Sequence, residues 1–267
     1  MSSADINHDG IPDLIIGAPH DSSSAGAAYV VFGVSAGTLP TQLSALNGSN
    51  GFEIVGPANT YTGAKVAGIA DVNGDGIDDL LIMVPGASNV GSSQPAVYVL
   101  FGQSGGFSSP VTLSSLSTLN GFEVVLPPGV SPTALAAMDI NGDGVNDILI
   151  GAGYWRTYVD GTEGAGAVYV IFGSSNLAAG SKIYSSALNG SNGFAAVGYA
   201  TCGYAGAALA VGDLNGDGIP DLAIGASYYV KSPHSVGGQV YIIYGLPAGG
   251  TFPTGSQPGV VSGGLLP

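Results

Sequence analysis

Positive charge is almost missing from this chain. Lys65, Arg156, Lys182 and Lys231 are its only bases against 18 acids, giving a formal net charge of −14 and an isoelectric point near 4.1. Such a surface repels a phosphate backbone, which excludes nucleic acid as a partner. Cys202 is the single cysteine, so no intrachain disulfide can form and stability must come from packing or bound metal. No apolar run approaches the roughly 18 to 20 residues of a membrane helix, so direct membrane insertion is not expected. The opening MSSADINHDG lacks the basic and apolar regions of a secretion signal, and we read Met1 as the start of a mature or trimmed segment. Bulk is scarce too: 46 of 267 residues are Gly, which argues against a core of long helices. The apolar fraction of 45% is nevertheless enough for a packed interior and argues against disorder.

What is present is a repeat. A nonapeptide occurs as DINHDGIPD from Asp5, DVNGDGIDD from Asp71, DINGDGVND from Asp139 and DLNGDGIPD from Asp213, at spacings of 66, 68 and 74 residues. Each copy runs into an apolar stretch (LIIGAP, LLIMVP, ILIGAG, LAIGAS), then a loop, then a second stretch (AYVVFG, VYVLFG, VYVIFG, VYIIYG). Between repeats stand a Gly-Phe strand start at Gly51, Gly121 and Gly193, and a small-residue strand at Lys65, Leu135 and Ala208 that enters the next Asp loop. Short runs rich in Val, Ile, Tyr and Phe, bounded by Gly, Asn and Ser, read as strands, four to a repeat. A fixed period of this kind denotes one supersecondary unit used repeatedly. The expected fold is all-β: a β-propeller of four-stranded antiparallel blades. It forms a single domain over 1–267, with repeats at about 1–45, 46–116, 117–187 and 188–250. The tail 251–267 is expected to complete the last blade or contact a neighbour. Four blades closing into a ring is the preferred arrangement, with a fragment of a larger propeller as the alternative.

Within the nonapeptide, carboxylates recur at positions 1, 5 and 9, Asn at 3, Gly at 6 and an apolar residue at 7. Alternate residues of a tight turn present their side chains to one centre, and hard cations such as Ca²⁺ take six to eight oxygens. The expected ligands are therefore Asp5, Asn7, Asp9, the Ile11 carbonyl and Asp13; Asp71, Asn73, Asp75, the Ile77 carbonyl and Asp79; Asp139, Asn141, Asp143, the Val145 carbonyl and Asp147; and Asp213, Asn215, Asp217, the Ile219 carbonyl and Asp221. That is one Ca²⁺ per loop, about four in all, with a bidentate Asp at position 9. Twelve of the 18 acids lie at these positions. Zinc and copper are disfavoured because His8, at the outward position 4, is the only imidazole or thiol in any loop. An EF-hand would need an acid at position 12, where Ile16, Ile82, Ile150 and Ile224 stand.

With these residues in hand, the chain resembles the FG-GAP repeats of the integrin α-subunit propeller and its bacterial relatives. FG stands at Phe32-Gly33, Phe101-Gly102 and Phe172-Gly173, with Tyr244-Gly245 as a variant, and GAP is literal at Gly17-Ala18-Pro19. The resemblance covers nearly the whole chain and implies calcium loops between the first and second strands of each blade. It also implies an extracellular or cell-surface location and a role in adhesion, recognition or display. Four loops rather than the seven blades of integrin-type propellers leave self-assembly through blade edges or the tail open.

Chemistry outside the loops is sparse. The other acids are Asp21, Glu53, Asp78, Glu123, Asp160 and Glu163, and Glu53 and Glu123 fall at equivalent GFE positions as blade features. No catalytic triad order, nucleophile elbow or phosphate loop is present, so no enzymatic activity is expected. Tyr154, Trp155, Arg156 and Tyr158 form a distinctive aromatic segment suited to a protein or glycan surface ligand or, alternatively, to aromatic packing between blades. The alternatives are a lectin-like propeller centred there, or a non-catalytic accessory domain of a larger hydrolase.

Overall fold

The computed structural model describes the chain except for residues 22–24, 41, 87–93, 119–120, 154–157, 160–161, 178, 199–202, 233–234 and 253–267. Apart from three short 3-10 segments, the regular elements among the described residues are all strands. In chain order the strands are β1 (Ser2–Ala4), β2 (Asp13–Ala18), β3 (Ala27–Val31), β4 (Gly51–Val55), β5 (Val66–Ile69), β6 (Asp79–Val84), β7 (Ala96–Leu100), β8 (Val111–Thr112) and β9 (Gly121–Val125). They continue with β10 (Ala134–Met138), β11 (Asp147–Ala152), β12 (Tyr158–Val159), β13 (Thr162–Glu163), β14 (Ala167–Ile171), β15 (Lys182–Tyr184), β16 (Gly193–Val197), β17 (Ala205–Gly212), β18 (Asp221–Ser232) and β19 (Ser235–Ile243). Among the described residues no helix is long and apolar enough to cross a membrane.

These strands build four antiparallel sheets of propeller-blade type, ordered β1-β2-β3-β4, β5-β6-β7-β9, β10-β11-β14-β16 and β17-β18-β19, which we number blades 1 to 4. The small-residue strand entering the Asp loop is at one edge of each sheet, as its Ala and Gly content predicts. The Gly-Phe strand is the fourth strand of blades 1 to 3. Registers repeat: Val30 faces Phe52, Val99 faces Phe122 and Val170 faces Phe194. Blade 4 holds three strands among the described residues. Blades 1 and 2 gain a fifth strand that the spacing of the motifs does not show. β8 pairs in parallel with β4, with Ile54 opposite Val111, and β15 lies beside β9.

Two compact units result, one of Met1–Leu126 with Ser175–Ile183, the other of Pro127–Ser174 with Tyr184–Pro267. In the first, Ile15, Val30, Phe52, Ile54, Leu80, Ile82 and Leu100 pack with no or almost no exposure. The second has the corresponding core from Ile140, Leu149, Val168, Val170, Leu222 and Ile224. Strand β6 is buried at every position, so alternation gives way to a continuous apolar run where both faces are covered. Phe107 stacks on Phe52 at 4.2 Å and 18°, and Phe252 stacks on Phe194 at 4.6 Å and 17°. In each unit an aromatic from the later blade thus clamps the fourth strand of the earlier one.

Candidate metal loops and the turn that holds them

Each nonapeptide folds into the same knot of hydrogen bonds. In the first loop the Asp5 carboxylate accepts the Asp9 N–H at 3.0 Å and the Gly10 N–H at 2.8 Å. Asn7 Oδ1 accepts the Asp9 N–H at 3.0 Å, and its Nδ2 donates to Asp9 Oδ2 at 3.0 Å. Asp9 Oδ1 then accepts the Ile11 N–H at 2.8 Å. Asp71, Asn73 and Asp75 repeat the pattern, as do Asp139, Asn141 and Asp143 and Asp213, Asn215 and Asp217. The turn requires left-handed backbone at two positions. Position 6 is Gly throughout, whereas position 4 is Gly74, Gly142 or Gly216 in three loops and His8, at φ 59°, in the first.

Position 9 has a second task that short-range spacing does not show. Asp13, Asp79, Asp147 and Asp221 are all fully buried. Their Oδ2 atoms accept the N–H of position 2, from Ile6 at 2.9 Å, Val72 at 2.8 Å, Ile140 at 2.9 Å and Leu214 at 2.8 Å. Their Oδ1 atoms accept the N–H of the FG glycine, from Gly33 at 2.9 Å, Gly102 at 3.0 Å, Gly173 at 2.9 Å and Gly245 at 2.9 Å. The carboxylate therefore ties the start of its own loop to the end of the third strand. Burial pushes Asp79 and Asp147 up to about 7 and Asp13 up to about 6; the two N–H donors oppose this, and the charges at positions 1 and 5 add to it. The FG glycine is needed because a Cβ there would meet the loop. At Gly102 it would stand 2.2 Å from the Asp78 carbonyl and 2.5 Å from Ile77 Cγ2, and at Gly245 2.4 Å from the Pro220 carbonyl.

The loops also join consecutive blades within each unit. The Ile6 carbonyl accepts the Gln103 N–H at 3.0 Å and the Ile140 carbonyl accepts the Leu246 N–H at 2.9 Å. The Asp5 N–H donates to Asp78 Oδ2 at 3.0 Å.

Oxygen dominates what these turns offer, as a hard cation requires. Among the described residues no three Asp, Glu, His or Cys side chains gather around one point. The further oxygens of each loop are the Asn amide and the position 7 carbonyl. Each carboxylate oxygen of position 9 accepts one N–H and keeps a second lone pair, so the clasp leaves this residue capacity to ligate.

Asp21, Glu53 and Glu123 are tied to tyrosines and a lysine. The Tyr29 hydroxyl donates to Asp21 and, at 3.5 Å, to Glu53; burial and those acids push its pKa well above the usual phenol value. Tyr98 is pushed up to about 12, mainly by burial, with Glu123 beside it, and Lys182 pairs with Glu123 at 2.7 Å. His20 meets Tyr61 edge-on, with ring centres 5.7 Å apart. Tyr154, Trp155 and Arg156 lie outside the described residues, as do Cys202 and the side chain of Tyr158.

Comparison with known proteins agrees with this geometry. The FG-GAP repeat model matches residues 1–31, 131–171 and 205–243, and the FG-GAP-like repeat model matches residues 71–150. Phosphatidylinositol-glycan-specific phospholipase D of Homo sapiens is 34% identical over 165 residues, 57% of this chain and 18% of that protein. Its Bos taurus counterpart is 33% identical over 219 residues, 76% of this chain and 24% of that protein. Integrin alpha-PS2 of Drosophila melanogaster is 31% identical over 240 residues, 85% of this chain and 15% of that protein. The chain spans a quarter or less of the length of these relatives. Repeats, register and loop geometry together place the chain in the FG-GAP repeat family, among relatives that include integrin α subunits.

Proposed function

We propose that this chain is a calcium-stabilised recognition module displayed outside the cell, binding a protein or glycan surface ligand and carrying no catalytic centre of its own. The observation that carries the reading is the fourfold recurrence of one oxygen-rich turn with one hydrogen-bond pattern. In it, positions 1, 3, 5 and 9 and the carbonyl of 7 would hold one Ca²⁺ per loop. The ion's contribution is charge: it offsets three carboxylates that otherwise repel one another within a single turn. The chain's own residues do the rest. Position 9 clasps the FG turn, and the position 2 carbonyls of Ile6 and Ile140 hold the following blade of their own unit, so loop order is passed to blade order there. Extracellular modules bind Ca²⁺ at about 10⁻⁴ to 10⁻³ M, a range that suits solvent-exposed turns of this kind. Among the described residues, Asp21, Glu53 and Glu123 are engaged with Tyr29, Tyr98 and Lys182, which supports a non-catalytic role.

The test is capture of glycans and surface proteins on arrays by the wild-type chain in Ca²⁺, by the chelated chain and by Trp155→Ala. Calcium-dependent capture that Trp155→Ala loses without a change in melting temperature supports a ligand site at the aromatic segment. Absence of capture in every condition contradicts a recognition role. One specific observation favours a second reading. The phospholipase D relatives match this chain over 18% and 24% of their length, which suits an accessory domain attached to a catalytic portion. Under that reading the isolated chain captures no ligand but still binds calcium.

A further inference from the structure

Residues 44–52 and 186–194 are identical, both reading SALNGSNGF. Each copy forms the turn that leads into a Gly-Phe strand, β4 in blade 1 and β16 in blade 3. The two turns are built alike. Asn47 Oδ1 accepts the Ser49 N–H at 3.0 Å and the Ser49 hydroxyl at 2.7 Å. Asn189 Oδ1 accepts the same two groups of Ser191, again at 3.0 and 2.7 Å. The Asn47 N–H donates to Asn50 Oδ1 at 3.0 Å, and the Asn189 N–H to Asn192 Oδ1 at 3.0 Å. Asn50 and Asn192 use their Nδ2 as well, on the carbonyls of Ala45 at 3.1 Å and Ala187 at 3.3 Å. Asn47 and Asn189 differ from them: among the described residues nothing accepts a hydrogen bond from either Nδ2. Asn47, Ser49, Asn189 and Ser191 are all exposed.

The turn accounts for an oxygen at positions 47 and 189 but not for an amide. Only Oδ1 is engaged, and an Asp would hold the serine N–H and hydroxyl as well as an Asn does. Nδ2 is therefore a group without a structural task in both copies. A second pattern singles out the same two residues. Of the asparagines in the chain, only Asn47 and Asn189 have Ser or Thr two residues on, with Gly rather than Pro between. In the corresponding stretch of the second repeat, Asn120 is followed by Gly121 and Phe122 and the serine is missing. Asn-x-Ser on an exposed turn is the acceptor pattern for an N-linked glycan.

We propose that Asn47 and Asn189 are acceptor sites for an N-linked glycan, transferred from an oligosaccharide carried on a polyprenyl pyrophosphate. The inference rests on the reading of the chain as displayed outside the cell, because acceptors of this kind belong to secreted proteins. Transfer forms a bond between Asn Nδ2 and C1 of the first sugar and breaks the bond between C1 and the pyrophosphate oxygen. The pyrophosphate leaves on its lipid, and Nδ2 gives up one of its two protons. Nδ2 then still carries one hydrogen and Oδ1 keeps both of its bonds, so the turn into β4 or β16 is retained. Within its own blade each turn is at the Asp-loop end. Gly51 faces Val31, which faces Leu14 next to Asp13, and Gly193 faces Ile171, which faces Ile148 next to Asp147. The glycans would thus flank the candidate metal loops of blades 1 and 3 with a bulky hydrophilic cover.

The experiment produces the 267-residue chain behind a cleaved secretion signal in a eukaryotic secretory host. Intact mass, peptide mapping and melting temperature are read before and after treatment with peptide-N-glycosidase F. The expected result is two glycans per chain, with Asp left at positions 47 and 189 by the digest. Melting temperature changes little, because the remaining carboxylate oxygen still holds the serine. Ser49→Ala and Ser191→Ala each lose one of the two glycans. Asn47→Asp and Asn189→Asp keep the accepting oxygen, and with it the turn, and also lose one glycan each. A secreted chain that melts like the chain made without the signal and carries no glycan at either position overturns the inference. So does glycan confined to other residues. The recognition reading fails separately, by absence of ligand capture on the arrays, whether or not the glycans are present.

Discussion

Asp79 accepts the N–H of Gly102 at 3.0 Å across 23 residues of sequence, and the N–H of Val72 at 2.8 Å within its own loop. One buried carboxylate thus holds the metal-loop candidate against the turn that ends the third strand, and the same pair recurs in every blade. Asp79→Ala leaves two buried N–H groups without their acceptor. The expected loss is about 2 to 5 kcal/mol of unfolding free energy by urea titration. Asp79→Asn keeps one oxygen acceptor and is expected to lose less. Equal stability of Asp79→Ala and wild type contradicts the clasp.

The FG glycine completes that contact from the other side. A Cβ at Gly102 meets the Asp78 carbonyl and the Ile77 side chain well inside van der Waals distance. Gly102→Ala is expected to cost about 1 to 3 kcal/mol, measured by thermal melting, and Gly245→Ala to act in the same direction.

Acidity provides a separate check on position 9. Burial raises Asp79 and Asp147 to about 7 and Asp13 to about 6, against an unfolded value of 3.8. A raised folded-state value means that the folded chain holds these protons more tightly than the unfolded one. The resulting stabilisation is fully present below about pH 4 and is lost as pH rises through 6 to 7. Metal-free protein is therefore expected to melt at a higher temperature at pH 5 than at pH 8. A divalent cation favours the ionised carboxylates, so saturating Ca²⁺ is expected to shrink or reverse that difference. A higher melting temperature at pH 8 in metal-free protein contradicts the assignment.

His8 is the exception among the four turns. It takes a left-handed backbone that Gly74, Gly142 and Gly216 take without strain. His8→Gly relieves that strain at the expense of a more flexible unfolded chain, and the expected net gain is about 0.5 to 1 kcal/mol. A lower melting temperature for His8→Gly contradicts this account of the turn.

Much of this architecture can be read from residue order because the repeat is written in local patterns. The four nonapeptides, the Gly-Phe starts and the apolar runs each specify one strand or one turn, and the structure places them as read. Contacts that join distant segments carry no such pattern. The clasp from Asp13 to Gly33 spans 20 residues, and each of its ends looks like an ordinary turn residue. Strand β8 is only Val111–Thr112, too short for any alternation to show that it pairs with β4. The left-handed position 4 is glycine in three loops and His8 in the first, so no single residue type marks it. Phe252 stacks on Phe194 across 58 residues of sequence, a contact that no local motif records. Tyr154, Trp155 and Arg156 fall outside the described residues, so the aromatic site rests on sequence alone.

The measurement that bears most directly on the central claim is calorimetric titration of metal-stripped protein with Ca²⁺, with melting temperature recorded before and after. The account predicts about four ions bound per chain and a clear rise in melting temperature, each site adding roughly 1.4 to 2.7 kcal/mol when free Ca²⁺ exceeds Kd tenfold to a hundredfold. Exchange of Asp75 and Asp143 for Ala is expected to remove two of the four. No heat of binding at millimolar Ca²⁺, together with an unchanged melting temperature, contradicts it.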